Sequence, residues 1–346
     1  MKRRINITEV KFILTVLLCI FFISGNAFAQ KNTLTKDEIT SAVKEAYDKF
    51  KNVSEGKNAD YIPALAEVNP NIFGISVVTA EGDVIEFGDI NDMVSMQSIE
   101  KVFAMAMVID EMGADALKEK IGVDATGMKF NAIEPIEWKK GKEMNPCVNP
   151  GALSTTSLIR GANYDEKWNN IITKYSEFAG RDLTVNQPVY ESEAATNQRN
   201  QALAHLLFAY ERMYYDPVQT TDIYTKACAI NVNAKDLGMM AATLCNGGVN
   251  PVTGKTVVSP ETVEHVLAVM VTAGLYDDSG IWLYDTGMPG KSGVGGGIIA
   301  VAPGKLGIGV ISPPLDDVGN SVKAQYVIKY LSEKLGLNMY SVQPKK

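Results

Sequence analysis

Three serine–lysine pairs with S-x-x-K spacing occur in this chain: Ser41 with Lys44, Ser54 with Lys57, and Ser98 with Lys101. On a helix, residues three apart share a face, so a hydroxyl and an amine at this spacing can meet. A serine becomes a nucleophile when a base takes its proton. A lysine can be that base only in its neutral form, which burial among apolar groups favours. Ser41/Lys44 and Ser54/Lys57 lie in polar stretches, whereas Val102, Phe103, Met105, Met107, Val108 and Ile109 follow Lys101. Context therefore selects Ser98 as nucleophile and Lys101 as base.

The rest of the inventory narrows the chemistry. Only two histidines are present, which leaves little for a histidine-based triad or metal site. His205, within the apolar stretch 202–208, reads as a core or edge residue, and His265, between Glu264 and Val266, as part of a helix. Outside the N-terminal segment, Cys147, Cys228 and Cys245 have neither metal-ligand spacing nor the even count of a disulfide framework. No metal and no cofactor is expected. A second element, Lys291-Ser292-Gly293-Val294-Gly295-Gly296-Gly297, precedes an apolar run. Its glycines permit close backbone approach, so its N–H groups can face a developing oxyanion. It is not a phosphate loop, because Asp285 stands where that pattern requires glycine.

These groups need a scaffold. Thr35 and Glu38 form a capping-box pattern opening an amphipathic helix with Ile39, Val43, Ala46, Tyr47 and Phe50 on one face. Phe73–Thr79 and Val84–Phe87 read as a hairpin, and Gln97–Met112 as a helix apolar nearly all round, hence buried. The middle, to about Val271, reads as mostly helical, with Asn200–Tyr210 and Ala234–Leu244 clearest. Gly297–Val301 and Gly307–Ile311 form a second hairpin, followed by a helix from Ser321 to Leu335 presenting Val322, Tyr326, Val327 and Leu331. The expected fold is α/β (α+β): a mainly antiparallel sheet built from both chain ends, with flanking helices. Its sheet subdomain covers about 36–96 and 272–346, and an all-helical subdomain is inserted at about 97–271.

Residues 1–29 read as a secretory signal peptide. Lys2, Arg3 and Arg4 precede the apolar run Phe12–Ile23, and Ala27-Phe28-Ala29 offers a cleavage site before Gln30. The run is too short to span a hydrocarbon core of roughly 30 Å comfortably, so no stable membrane anchor remains after cleavage. The mature domain, 30–346, is expected in the periplasm or the medium. The formal charge of −7 becomes more negative without the leader, which argues against nucleic acid as a partner.

An early S-x-x-K with a late K-[ST]-G belongs to the serine penicillin-recognising fold. Within that group the chain resembles the serine-dependent glutaminase family, from about Lys36 to Leu337. The resemblance rests on 59–63 (ADYIP), 97–102 (QSIEKV), 145–149 (NPCVN), 191–193 (ESE) with Arg199-Asn200, 246–251 (NGGVNP) and 289–297 (PGKSGVGGG). Ser312-Pro313 and Gly319-Asn320-Ser321 also fit. It implies a β-lactamase/transpeptidase-like fold and hydrolysis of L-glutamine to L-glutamate and ammonia. Ser98 would be the nucleophile and Lys101 the base. Asn149, Glu193, Asn200, Tyr224, Tyr276 and Val294 would contact the substrate, with Tyr61 and Gln97 at further pocket positions and Lys291 in support. Glu193 suits the substrate ammonium, Tyr224 or Tyr276 the proton for departing ammonia, and the Ser98 and Val294 N–H groups the oxyanion. The expected assembly is a homo-oligomer, dimer or tetramer.

Three departures from the family pattern stand out. Glu100 is acidic where Ser or Thr is usual, and is expected to point away from the cleft. Pro150 follows Asn149, biasing it toward extended backbone. Ala229 follows Cys228 where serine is usual. Competing readings are a β-lactamase or D-Ala-D-Ala peptidase, disfavoured by the missing S-D-N element and the Glu193/Asn200 pair, and a non-catalytic periplasmic amino-acid-binding or sensor protein, disfavoured by intact Ser98, Lys101 and Lys291.

Overall fold

The first hairpin forms where expected, as β1 (Gly74–Thr79) and β2 (Val84–Gly88), and its register is antiparallel, Ile75 opposite Phe87. The computed structural model describes residues 34–139, 144–342 and 344; residues 1–29, which the sequence reading takes as a signal peptide, lie outside the described residues. The chain divides at Lys36 into an N-terminal unit, of which residues 34–36 are described, and one unit spanning Asp37–Lys346.

In that second unit the two chain ends build one sheet. β6 (Gly290–Gly293), β7 (Gly297–Ala302) and β8 (Leu306–Ile311) join the N-terminal hairpin in the order β2-β1-β8-β7-β6, all antiparallel. Ile75 pairs with Val310, so the central contact of the sheet links the first strand to the last. Every residue of β1, β7 and β8 is buried. The sheet is therefore covered on both faces, consistent with runs such as Gly297–Ala302 that lack polar alternation.

The Ala234–Cys245 helix, read from sequence as part of the helical middle, lies across β1, β7 and β8. Its close approach has a specific cause. A Cβ on Gly309 would sit 2.2 Å from the Gly238 nitrogen, and one on Gly307 2.2 Å from the Ala242 nitrogen. The helix opens on a capping box between Asn233 and Asp236, whose carboxylate also accepts from Arg181 Nε at 2.6 Å. On the C-terminal helix, Val322–Leu335, the buried face contains Val322, Val327, Ile328 and Leu331, while Tyr326 is partly exposed and donates to Glu55.

A second, three-stranded sheet was not anticipated: β3 (Val94–Ser95), β5 (Ile230–Val232) and β4 (Thr184–Val185), in the order β3-β5-β4. Strands of two or three residues carry no readable period. This small sheet nevertheless fixes the residues before Ser98, and Met96 N donates to Ile230 O at 2.8 Å. The expected Gln97–Met112 helix begins as a 3-10 turn, Gln97–Ile99, and continues as Glu100–Met112, buried on all sides through Ile109. His205 is a correction: the Gln198–Ala209 helix buries Leu203, Ala204 and Leu207 and leaves His205 exposed.

The glycine contact can be tested directly. Gly309→Ala should lower unfolding free energy by ~2–3 kcal/mol through overpacking, read as a shift in urea midpoint at unchanged m-value.

Candidate active site

Ser98 sits in the 3-10 turn where β3 feeds the buried helix, with Gln97 just before it at φ 49°. A non-glycine residue in the left-handed region is held there by its surroundings, against a cost of ~1 kcal/mol or more. Those surroundings are clear. The Gln97 side-chain Nε2 donates to Glu193 Oε2 at 3.1 Å and to Ser95 Oγ at 3.3 Å. The turn thus presents Ser98 at the floor of a cleft while remaining 92 % buried (8 % exposed).

One helical turn on, Lys101 Nζ lies 3.0 Å from Ser98 Oγ and donates to Asn149 Oδ1 at 2.7 Å. Lys101 has no exposed surface and no ion-pair partner among the described residues. Burial pushes its pKa down, against weaker opposing pulls from Cys228 and Glu100. The other two S-x-x-K pairs show the contrast. Lys44 is exposed on Asp48 at 2.7 Å, and Lys57 is exposed on Asp60 at 3.3 Å. Both of those amines face a carboxylate in solvent, where Lys101 faces a hydroxyl and an amide oxygen in the interior.

Asn149 is the hub of the polar network. Its Nδ2 donates to Asn200 Oδ1 at 3.0 Å, and its Oδ1 also receives the Tyr224 hydroxyl at 3.4 Å. The extended backbone expected from Pro150 is not found: Asn149 is the first residue of the Asn149–Leu158 helix, with Val148 as its extended N-cap. Proline in the first turn lacks only an N–H that has no intrahelical acceptor there, so the helix tolerates it.

Across the cleft, β6 brings the glycine run beside the serine turn. A Cβ on Gly293 would meet Met96 O at 2.5 Å, and one on Gly295 would meet Ser95 O at 2.2 Å. Between them Val294 lines the cleft, and its N–H has no acceptor among the described residues. Lys291 is fully buried on the same strand. Its Nζ donates to Gly274 O at 2.9 Å and Ser292 O at 2.8 Å and lies 4.4 Å from the Tyr276 ring centroid. Burial, reinforced by the nearby Lys101, lowers the Lys291 amine to about 7. The Tyr276 hydroxyl donates to Ser292 O at 3.5 Å and faces Ser98, and burial pushes its pKa up.

The cleft has a volume of about 110 Å³. Of the residues singled out in the sequence, Tyr61, Gln97, Ser98, Asn149, Glu193, Asn200, Tyr224 and Val294 all line it. Lys101, Lys291 and Tyr276 stand behind or beside Ser98, and Tyr61 is the exposed rim. Phe130, Asn131, Thr196, Asn197 and Arg199 also line the cleft and were not singled out as site residues. Arg199 could have been, since it adjoins Asn200 in a matching segment. Phe130 and Asn131 carry no local signal: they arrive through tertiary contacts, Asn149 N donating to Phe130 O at 2.7 Å and Arg199 Nε to Asn131 O at 2.8 Å. Cys147, Cys228 and Cys245 are buried and unbridged.

Residues 56–340 match the family model described as Glutaminase. The chain is 48 % identical over 302 residues to a glutaminase of Colwellia psychrerythraea, covering 87 % of this chain and 97 % of that one. It is 46 % identical over 311 residues to a glutaminase of Brucella canis, at 90 % and 98 % coverage. Among solved structures, it superposes on the probable glutaminase ybaS with a TM-score of 0.88 at 40 % identity, covering 89 % of this chain and all of that one. It also superposes on Mglu in its glutamate form with a TM-score of 0.82 at 36 % identity, covering 89 % and 70 %.

Glu193 supplies a test of the cleft's electrostatics. Burial raises its carboxyl to about 7, against the opposing Gln97 bond and the Lys101 amine. In an acid whose folded pKa exceeds its unfolded value of 4.5, the folded state keeps a proton that the unfolded state has released. Stability is then lost as pH rises from about 4.5 through about 7. Glu193→Gln should therefore be more stable than the parent at pH 8, by up to about 3 kcal/mol, and indistinguishable at pH 4. Thermal unfolding at the two pH values reads the difference.

Proposed function

The chain belongs to the glutaminase family, enzymes that hydrolyse L-glutamine to L-glutamate and ammonia, and we propose that here the reaction runs through a Ser98 ester with Lys101 as base. The observation that carries this reading is the 3.0 Å contact between Ser98 Oγ and a buried amine that no carboxylate among the described residues pairs.

The steps follow from the geometry. Neutral Lys101 Nζ takes the Ser98 hydroxyl proton as Oγ attacks the side-chain carbonyl carbon of glutamine. The Ser98 and Val294 N–H groups receive the oxyanion, and the glycines on either side of Val294 let its strand come that close. Ammonia departs with a proton that Lys101 returns through Tyr276, whose hydroxyl faces Ser98. Tyr224 instead holds Asn149, and through it the position of Lys101. Water then enters the ammonia's place, loses a proton to Lys101, and attacks the ester; collapse releases glutamate and restores the Ser98 hydroxyl. Glu193 is the sole carboxylate among the cleft-lining residues, suited to the substrate ammonium, and Asn149 and Asn200 orient the amino acid through their amides. Lys291 supports the site from behind, fastening β6 to Gly274 and backing the Tyr276 ring.

Ser98→Ala should lower ammonia release from glutamine by about 10³-fold or more while calorimetry still registers glutamine binding. Undiminished release in that variant would remove Ser98 from the mechanism. A chromogenic β-lactam, run alongside, should give no Ser98-dependent turnover.

We further infer that the enzyme is exported, acting in the periplasm or the medium, and assembles as a dimer or tetramer. The basic n-region, the short apolar run and Ala27-Phe28-Ala29 support cleavage before Gln30. Intact mass of the extracytoplasmic protein should correspond to a chain beginning at Gln30. A mass that retains residues 1–29 would count against export by this route.

A further inference from the structure

Glu100 enters neither the cleft lining nor any ion pair among the described residues, yet it is 99 % buried (1 % exposed) beside the base. As expected, it points away from the cleft. It meets Tyr175, from the Tyr164–Ala179 helix, whose hydroxyl oxygen lies 2.8 Å from Glu100 Oε2 and 3.0 Å from the Glu100 main-chain oxygen. Glu100 Oε1 is buried with no partner.

A proton inventory separates two states of this cluster. Tyr175 has one hydroxyl proton, and the main-chain carbonyl can only accept. If Glu100 were a carboxylate, that proton would serve one of two acceptors. The other short contact would oppose lone pairs, and Oε1 would carry charge with no donor, which is costly in the interior. If Glu100 is a carboxylic acid, its Oε2–H donates to the Tyr175 oxygen and the Tyr175 O–H donates to the carbonyl. Both contacts are then bonds, and only a neutral oxygen stays unpaired. The groups facing Glu100 are Lys101 on its own helix, Lys291 from β6, Glu193 from the Gln187–Ala194 helix, Tyr224 and Cys228 from the Pro217–Cys228 helix, Cys147, and Tyr175. Burial is the largest influence and pushes the carboxyl to about 7, outweighing the pull of Tyr175 and of both lysines.

We propose that Glu100 is held as a neutral carboxylic acid by Tyr175, a positioning residue that anchors the nucleophile helix without placing a negative charge beside the Lys101 amine. This rests on Lys101 being the base of the reaction above. A neighbouring carboxylate would favour protonated Lys101, the form that cannot accept the Ser98 proton. A neutral acid makes the same mechanical link and leaves the amine free.

Glu100→Gln keeps shape, hydrogen bonding and neutrality, so it is the decisive variant. Its acid limb of kcat/KM should fall within about 0.3 pH unit of the parent, with kcat within about threefold. A limb displaced by about one unit or more toward lower pH would overturn the proposal, because it would mean an ionised Glu100 had been raising the Lys101 pKa. The infrared difference between parent and Glu100→Gln at about pH 6, below the carboxyl's titration, should contain a protonated-carboxyl C=O band. Its absence would also overturn the proposal. Because the band requires no turnover, it stands or falls independently of the Ser98 chemistry. Glu100→Ala, which removes the link to Tyr175, should lower kcat by about tenfold with the limb unmoved; an unchanged kcat would refute the anchoring role.

Discussion

An amine with no solvent and no counter-charge is the constraint on which this molecule is organised. Lys101 is completely buried, and its hydrogen-bonding partners are a hydroxyl and an amide oxygen. Removing an ammonium from water without a carboxylate costs several kcal/mol, and the group relieves that cost by giving up its proton. The buried helix from Glu100 to Ile109, covered on every side, is what withholds solvent. Asn149 is what withholds charge, since an amide orients the amine without fixing it as a cation. The neighbouring Lys291 adds to the same field from β6 and is itself pinned on main-chain oxygens. Reactivity at Ser98 is thus a property of the packing around Lys101 more than of the serine.

The same packing explains how much could be read in advance. Ser98 and Lys101 were distinguishable from Ser41/Lys44 and Ser54/Lys57 because an all-round apolar helix is visible in one dimension. The long strands were visible for the same reason, and so was the glycine run before β7. The short sheet that holds Met96 was not, because its strands are two or three residues long and their pairing is non-local. Phe130 and Asn131 reach the cleft through main-chain contacts to Asn149 and Arg199, which leave no trace in local composition. Tyr175 carries no local mark in the sequence, and only three dimensions place it on Glu100. At Asn149 a sound local rule, that proline disfavours a helical predecessor, lost to a helix that begins there. The packing of the Ala234–Cys245 helix on the sheet depended on glycines 307 and 309 of a strand far along the chain. Sequence order placed that helix with its neighbours in the middle, whereas the fold lays it against the sheet.

The two proposed oxyanion donors are far apart in the chain, Ser98 after the first hairpin and Val294 after most of the sequence has passed. The sheet has the same property, since β1 has β8 as its inner neighbour. Until β6 exists the turn that holds Ser98 lacks the strand against which it is pressed, and until β8 exists β1 has an open edge on that side. Closing so large a loop is entropically costly and slow. A nascent chain therefore carries Ser98 and Lys101 long before it carries Lys291 and Val294. Synthesis order thus assembles the site late: Lys291 and Val294 leave the ribosome only after the whole helical middle.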